Sequence, residues 1–297
     1  MRSSWKALAA AAALSMGLAA CGTSSSEPDI TPPSAGQASL QHVTIPGDES
    51  GLGDLPADVW LPPQYFSHPD QKFPLVYMYH GDPGKSTDWF GGNQAGVPAL
   101  AQAKAGRPAV FIAPTVSPAA SPGTNTDTEC VNGPSGNWFT YISQDVPSWA
   151  KENLRIIGDA KHTAAAGLSM GGTCAQLFAL KSPNELLAFG NISGTTAATA
   201  TVGTSALFGT TNPQVTNQYN SKWIIANQPA SNKVASWLAT GSGDSLALKA
   251  DQASYASLAR QKGMTVTQTT LVGGHGGATW AEGGAAWIPW VLPRISK

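Results

Sequence analysis

The sequence predicts an α/β fold, a single domain built on a mostly parallel, doubly wound sheet. Three observations predict it. Short apolar runs bounded by Pro, Gly and His recur along the chain, as buried strands require. Segments of helical period separate many of them, and such alternation buries a parallel sheet on both faces. Finally, 297 residues with 42% hydrophobic content suffice for one sizeable core.

In chain order, Leu40–Ile45 and Ala57–Leu61 read as early strands, followed by Leu75–Tyr79 and Ala109–Ala113. Gln144–Leu154 reads as a helix that tolerates Pro147 only near its start. Thr163–Leu168 is a further apolar run. After a Gly-rich turn, Thr173–Lys181 reads as a helix stopped by Ser182-Pro183. Ala188–Ile192, Val234–Ala239 and Thr265–Leu271 complete the set of buried strands, with a helix at Leu246–Lys262. A last amphipathic stretch, Ala285–Leu292, ends at Pro293. Residues Ser193–Trp223 are rich in Thr, Asn and Gly without a clear period, and are expected to form an insertion near the active-site edge.

The N-terminus carries its own signal. Arg2 and Lys6 precede a short apolar stretch, Ala7–Met16, and small residues lead into Leu18-Ala19-Ala20-Cys21. The run is too short for a bilayer span and reads as a signal peptide, residues 1–20. The four residues ending at Cys21 resemble a bacterial lipobox, so Cys21 is expected to be lipidated and to hold the chain at a membrane surface. Residues 21–39, rich in Ser, Thr, Pro and Gly, form the expected flexible tether, and the domain occupies 40–297. The expected location is the bacterial cell envelope, on the outer face of the cytoplasmic membrane.

With Cys21 assigned to lipid, Cys130 and Cys174 remain. An even pair in an oxidising compartment predicts a disulfide, with two buried thiols as the alternative. Zinc spacings are absent, and neither a metal nor a cofactor is expected. The net charge is −1, with no Lys/Arg cluster beyond the first six residues, which removes the electrostatic footprint of a nucleic-acid binder. Gly84-Lys85-Ser86 looks like the end of a phosphate-binding loop, but that motif needs a Gly where Tyr79 stands.

Gly167-Leu168-Ser169-Met170-Gly171 is the one G-x-S-x-G of the chain. A nucleophilic Ser on a sharp strand-to-helix turn needs very small residues two positions to either side, as here. Serine also needs a base held in one tautomer by an acid. On strand-ordered hydrolases the chain order is nucleophile, acid, His. His275 is the only His after Ser169, and it follows the run Thr265–Leu271. Asp244 follows Val234–Ala239 and is the expected acid. Asp251 falls within a helix and is expected to face solvent, while Glu282 follows the His. Backbone N–H groups of Met170 and Asp82 are the expected oxyanion donors, provided that the Asp82 carboxylate points away.

With these pieces placed, the chain resembles the esterase branch of the α/β-hydrolases, the group of esterase D, feruloyl esterases and mycolyltransferases. The resemblance rests on His80-Gly81 and Asp88-Trp89, on Gly167–Gly172, on Asn191-Ile192-Ser193-Gly194, and on Gly273-Gly274-His275 with Trp280. It implies an α/β-hydrolase fold, with nucleophile Ser169, acid Asp244, base His275 and oxyanion donors Asp82 and Met170. The residues after His275, Gly276-Gly277-Ala278-Thr279, are smaller than is common in that group. The Glu129-Cys130 loop with Cys174 resembles a bacterial subgroup with paired cysteines.

The expected activity is hydrolysis of a small-molecule, lipid or glycan ester through an acyl-enzyme. The alternatives are an acyltransferase that hands the acyl group to a sugar or lipid hydroxyl, and a non-catalytic binding lipoprotein. A peptidase is also possible on this fold. Trp89 and Trp138, near the expected active-site loops, suggest an aromatic-lined cleft.

Overall fold

The computed structural model describes residues 34, 36–91, 106–119, 126–198 and 203–297. The expected signal segment, Cys21 and most of the tether lie outside these residues.

Eight strands form one sheet. β1 (Ser39–Ile45) and β2 (Leu55–Leu61) pair antiparallel, and β2 pairs antiparallel with β4 (Val110–Pro114). All remaining pairings are parallel. They join β4 to β3 (Leu75–Tyr79), then run to β7 (Thr163–Leu168), β8 (Ala188–Ile192), β9 (Ala235–Gly241) and β10 (Val266–Leu271). A two-residue hairpin, β5 (Asn132–Gly133) with β6 (Gly136–Asn137), stands apart.

The strand period of two sorts side chains onto two cores. Leu75, Tyr77 and Tyr79 join the cluster under the helix Met170–Lys181, with Leu177, Phe178 and Leu180. Val76 and Met78 face the opposite cluster, where Trp287, Ile288, Val291 and Leu292 of the helix Gly277–Ile295 cover the sheet. β7 is buried along its whole length. Its small residues, Ala164 to Gly167, let helices on both faces pack close.

Several expectations need correction. The last helix runs from Gly277 to Ile295, straight through Pro289 and Pro293. Burial of its apolar face outweighs the backbone bonds those prolines forgo. The helix after the Gly-rich turn begins at Met170, three residues earlier than expected. β10 is an edge strand and only half-buried. Residues 193–223 hold short helical segments, among them Pro213–Thr216 and Ser221–Asn227.

Cys130 and Cys174 form a disulfide across 44 residues of sequence. It clips the Glu129 loop onto the helix that follows Ser169. By loop-closure entropy the Cys130→Ser/Cys174→Ser double variant should lose about 4 kcal/mol. Thermal unfolding checks this: the melting temperature is expected to fall by roughly 10 °C, and an unchanged temperature would contradict it.

Candidate active site

Ser169 sits where β7 turns into the helix Met170–Lys181, at φ 52° and ψ −124°. A non-glycine residue held at positive φ is costly and persists only when its surroundings fix it. Here the Ser169 N–H donates to Ile192 O at 2.8 Å, and Ser169 O accepts from Gly172 N at 2.8 Å. The flanking glycines are steric necessities. A Cβ on Gly167 would lie 2.0 Å from Gly171 O, and one on Gly171 would lie 2.3 Å from Tyr79 O. No side chain fits at either position.

Three loops at the carboxyl ends of the strands converge on this turn. Ser169 Oγ lies 2.8 Å from His275 Nε2, and His275 Nδ1 lies 2.9 Å from Asp244 Oδ1. Asp244 is buried, and its Oδ2 accepts from Ser193 Oγ at 2.6 Å and from Gly241 N at 2.7 Å. Main-chain bonds stitch the β9 and β10 loops together, with Ser242 N donating to Leu271 O and Gly243 N to Gly273 O. Thr279 Oγ1 donates to Gly274 O at 2.6 Å, and Trp280 packs edge-on against the His275 ring at 5.6 Å. The imidazole is thus held in place from below and from one side.

The fourth loop follows β3. A Cβ built on Gly81 would lie 3.3 Å from Ser169 Cβ, so this loop abuts the nucleophile turn. Its anchor is His80, buried beside the site. Val116 N–H donates to His80 Nε2 at 2.9 Å, so the ring proton must sit on Nδ1, which donates to Gly81 O at 2.8 Å. Burial pushes the His80 pKa down, which keeps the ring neutral. Asp82 and Met170 both line the cleft at Ser169. Met170 is the first residue of its helix, where an N–H has no intrahelical acceptor and is available to an oxyanion.

Sequence reasoning missed the support beneath the triad-like cluster. Ser193, also at positive φ (55°), reaches Asp244. Behind it, Asn191 Nδ2 donates to Gln176 Oε1 at 2.7 Å, and Asn191 Oδ1 accepts from Gly194 N at 2.7 Å. Gln252 Nε2 donates to Gly194 O at 2.9 Å. This buried network fixes the end of β8 under Ser169. Asp251 does not face solvent as expected. It accepts from Thr196 N at 2.7 Å and pairs with Lys222 at 2.9 Å, pinning the segment after Ser193. Trp89 and Trp138 are core residues, so the expected aromatic lining is not what the cleft presents.

The cleft, about 370 Å³, is lined by Met170, Thr173, Thr195 and Leu248, and the carboxyl groups of Asp82, Asp127 and Glu129 border it as well. Burial, then the charges of Asp127 and Asp82, hold the Glu129 pKa well above the usual carboxylate range, against a hydrogen bond from Thr173. The folded state therefore binds more protons than the unfolded chain above the unfolded carboxyl pKa. Stability contributed by this group is present below that value and is lost as pH rises through the folded pKa. Glu129→Gln, isosteric and uncharged, is expected to be more stable than the parent at pH 8, with the gap closing toward pH 4. Urea denaturation at the two pH values checks the sign.

The parallel sheet, its flanking helices and the strained serine turn make up the α/β-hydrolase fold, which solved structures share. A ferulic acid esterase matches with a TM-score of 0.71 at 20% identity, covering 86% of this chain and 98% of its own. An S-formylglutathione hydrolase from Agrobacterium tumefaciens matches at 0.71 and 16%, covering 90% and 99%. MPT51 (FbpC1) of Mycobacterium tuberculosis matches at 0.65 and 17%, covering 87% and 100%. The model of the family described as "Putative esterase" matches residues 52–293, and the chain belongs to that family. An uncharacterised protein of Corynebacterium glutamicum is 28% identical over 265 residues, 84% of this chain. The chain spans only 60% of that relative's length.

Proposed function

We propose that the protein is a serine carboxylic-ester hydrolase that works through an acyl-enzyme in the bacterial cell envelope, tethered by lipid at Cys21. The observation that carries the chemistry is the 2.8 Å contact between Ser169 Oγ and His275 Nε2, on a turn that only a dedicated arrangement would hold. His275 takes the Ser169 proton as Oγ attacks the ester carbonyl, and N–H groups of Met170 and Asp82 hold the oxyanion. Asp244 fixes the tautomer of His275 and stabilises the imidazolium. His275 then protonates the leaving alcohol, and water, activated by the same ring, releases the acid.

Transfer to another hydroxyl would use the same residues but requires that water be kept out. The His275 side chain is 45% exposed among the described residues, which favours hydrolysis. The test is turnover of p-nitrophenyl esters, from acetyl to palmitoyl, by residues 22–297 beside the Ser169→Ala variant. Serine-dependent turnover supports the reading, and its chain-length profile sizes the acyl pocket. No turnover by a folded parent would overturn it.

A further inference from the structure

The carboxyl groups in the cleft have no part in the mechanism above, and by themselves they oppose it. Negative charge beside an oxyanion hole raises the energy of the developing oxyanion. No lysine or arginine lines the cleft among the described residues. Glu129 is 3% exposed, and its Oε2 is buried without a hydrogen-bond partner. Asp82 Oδ1, across the same cleft, is likewise buried and unpartnered. A buried, unsatisfied carboxyl is a standing cost to the fold.

The loop is built to keep that carboxyl where it is. Glu129 and Cys130 both adopt positive φ, 43° and 49°. Thr128 Oγ1 donates to Val116 O at 2.7 Å and accepts from Cys130 N at 3.1 Å. The disulfide to Cys174 then fixes the loop against the helix of the nucleophile. Strain of this kind, paid for by covalent and hydrogen-bonded support, marks a functional placement.

We propose that Asp82 and Glu129 form a site for a protonated amine of the substrate, making this a hydrolase of aminoacyl esters. The proposal rests on the serine-esterase reading and names its substrate class. The location sets how near the cation lies to the carbonyl. Thr173, which lines the cleft with Glu129, is one helical turn beyond Ser169, about 5.4 Å along the axis. Asp82 and Met170, the oxyanion residues, border the same acidic group. A charge held there shares the cleft with Ser169, on the side where the amine of an aminoacyl ester would lie. The cation compensates the buried carboxyls and lets Glu129 ionise, and it screens the oxyanion from them. Neutral esters gain none of this. In the reaction the acyl carbon exchanges its bond to the alkoxy oxygen for one to Ser169 Oγ, then for one to water. The products are the free amino acid and the alcohol.

The experiment compares L-alanine methyl ester with methyl L-lactate, its neutral isostere, using residues 22–297. The parent is expected to favour the alanine ester in kcat/KM by at least about tenfold. Glu129→Gln and, separately, Asp82→Asn should each cut that ratio about tenfold or more, intrinsic ester reactivity cancelling between enzymes. Equal or better turnover of lactate, with a ratio the variants leave unmoved, would overturn the amine site while the esterase reading stands. If the parent turns over neither ester but cleaves p-nitrophenyl acetate, the esterase reading stands; if it cleaves no p-nitrophenyl ester either, that reading fails. Calorimetric titration of Ser169→Ala with both esters then decides the amine site alone: preference for the alanine ester supports it, and no preference overturns it.

Discussion

Replacing Ser169 by Ala is expected to lower kcat for p-nitrophenyl acetate by about 10⁵–10⁶-fold, leaving the fold intact. That loss corresponds to roughly 7–8 kcal/mol of transition-state stabilisation. Loss of Oγ removes the only covalent route, because the turn offers no second nucleophile: the neighbours are Leu168, Met170 and glycines. What remains is rate enhancement from the oxyanion donors and from binding, about 10³–10⁴ over water. Circular dichroism and thermal unfolding should be unchanged, since Ala keeps the backbone bonds that hold position 169. A loss below tenfold would mean that hydrolysis does not pass through Ser169.

The cost of the turn itself falls on its neighbours. Positive φ at Ser169, and again at Ser193, is maintained by contacts that leave no space at Gly167 and Gly171. Beneath them the Asn191–Gln176–Gln252 network is buried and polar. Asn191 is its hub, bonded to both glutamines, while Gln176 Nε2 and Gln252 Oε1 are buried without a partner. Ser169 rests on a platform assembled from β7, β8 and the helices Met170–Lys181 and Leu246–Gln261, which carry Gln176 and Gln252.

Much of this was legible in the sequence, and the limits have a physical pattern. β3, β7 and β8 match their apolar runs residue for residue, because strands buried on both faces carry uninterrupted hydrophobic signals. Gly167 and Gly171 were readable because the turn admits nothing larger. His275 and Asp244 were reachable from chain order, since each of the parallel strands delivers its following loop to the same edge. By contrast, the role of Ser193 depends on one side-chain bond across 51 residues. Asp251 looked like a surface helix residue because its partners, Thr196 and Lys222, lie in a segment without period. The carboxyl groups bordering the cleft were equally hidden: Asp82 stands 45 or more residues before Asp127 and Glu129 and meets them only through the fold.

Asp244→Asn should lower kcat/KM by about 10⁴-fold near neutral pH, roughly 5 kcal/mol. The geometry around the carboxylate dictates why. Gly241 N–H donates to Asp244 Oδ2 at 2.7 Å, and a backbone N–H cannot turn to accept. Asn must therefore place its oxygen at that position, which leaves its NH₂ facing His275 Nδ1. That nitrogen, a donor to Asp244 in the parent, must now accept, so the ring proton moves to Nε2. Nε2–H would then donate to Ser169 Oγ, where a base must accept from it. The variant holds every atom near its original place and loses the reaction by tautomer alone. Ser193→Ala separates orientation from charge: it deletes one hydrogen bond to Oδ2 and leaves the tautomer as it was. Its loss should be nearer tenfold. Steady-state kinetics of the two variants on one p-nitrophenyl ester gives the comparison. Equal losses would mean that Asp244 acts by packing, whereas a gap of two to three orders of magnitude assigns its effect to control of the His275 proton.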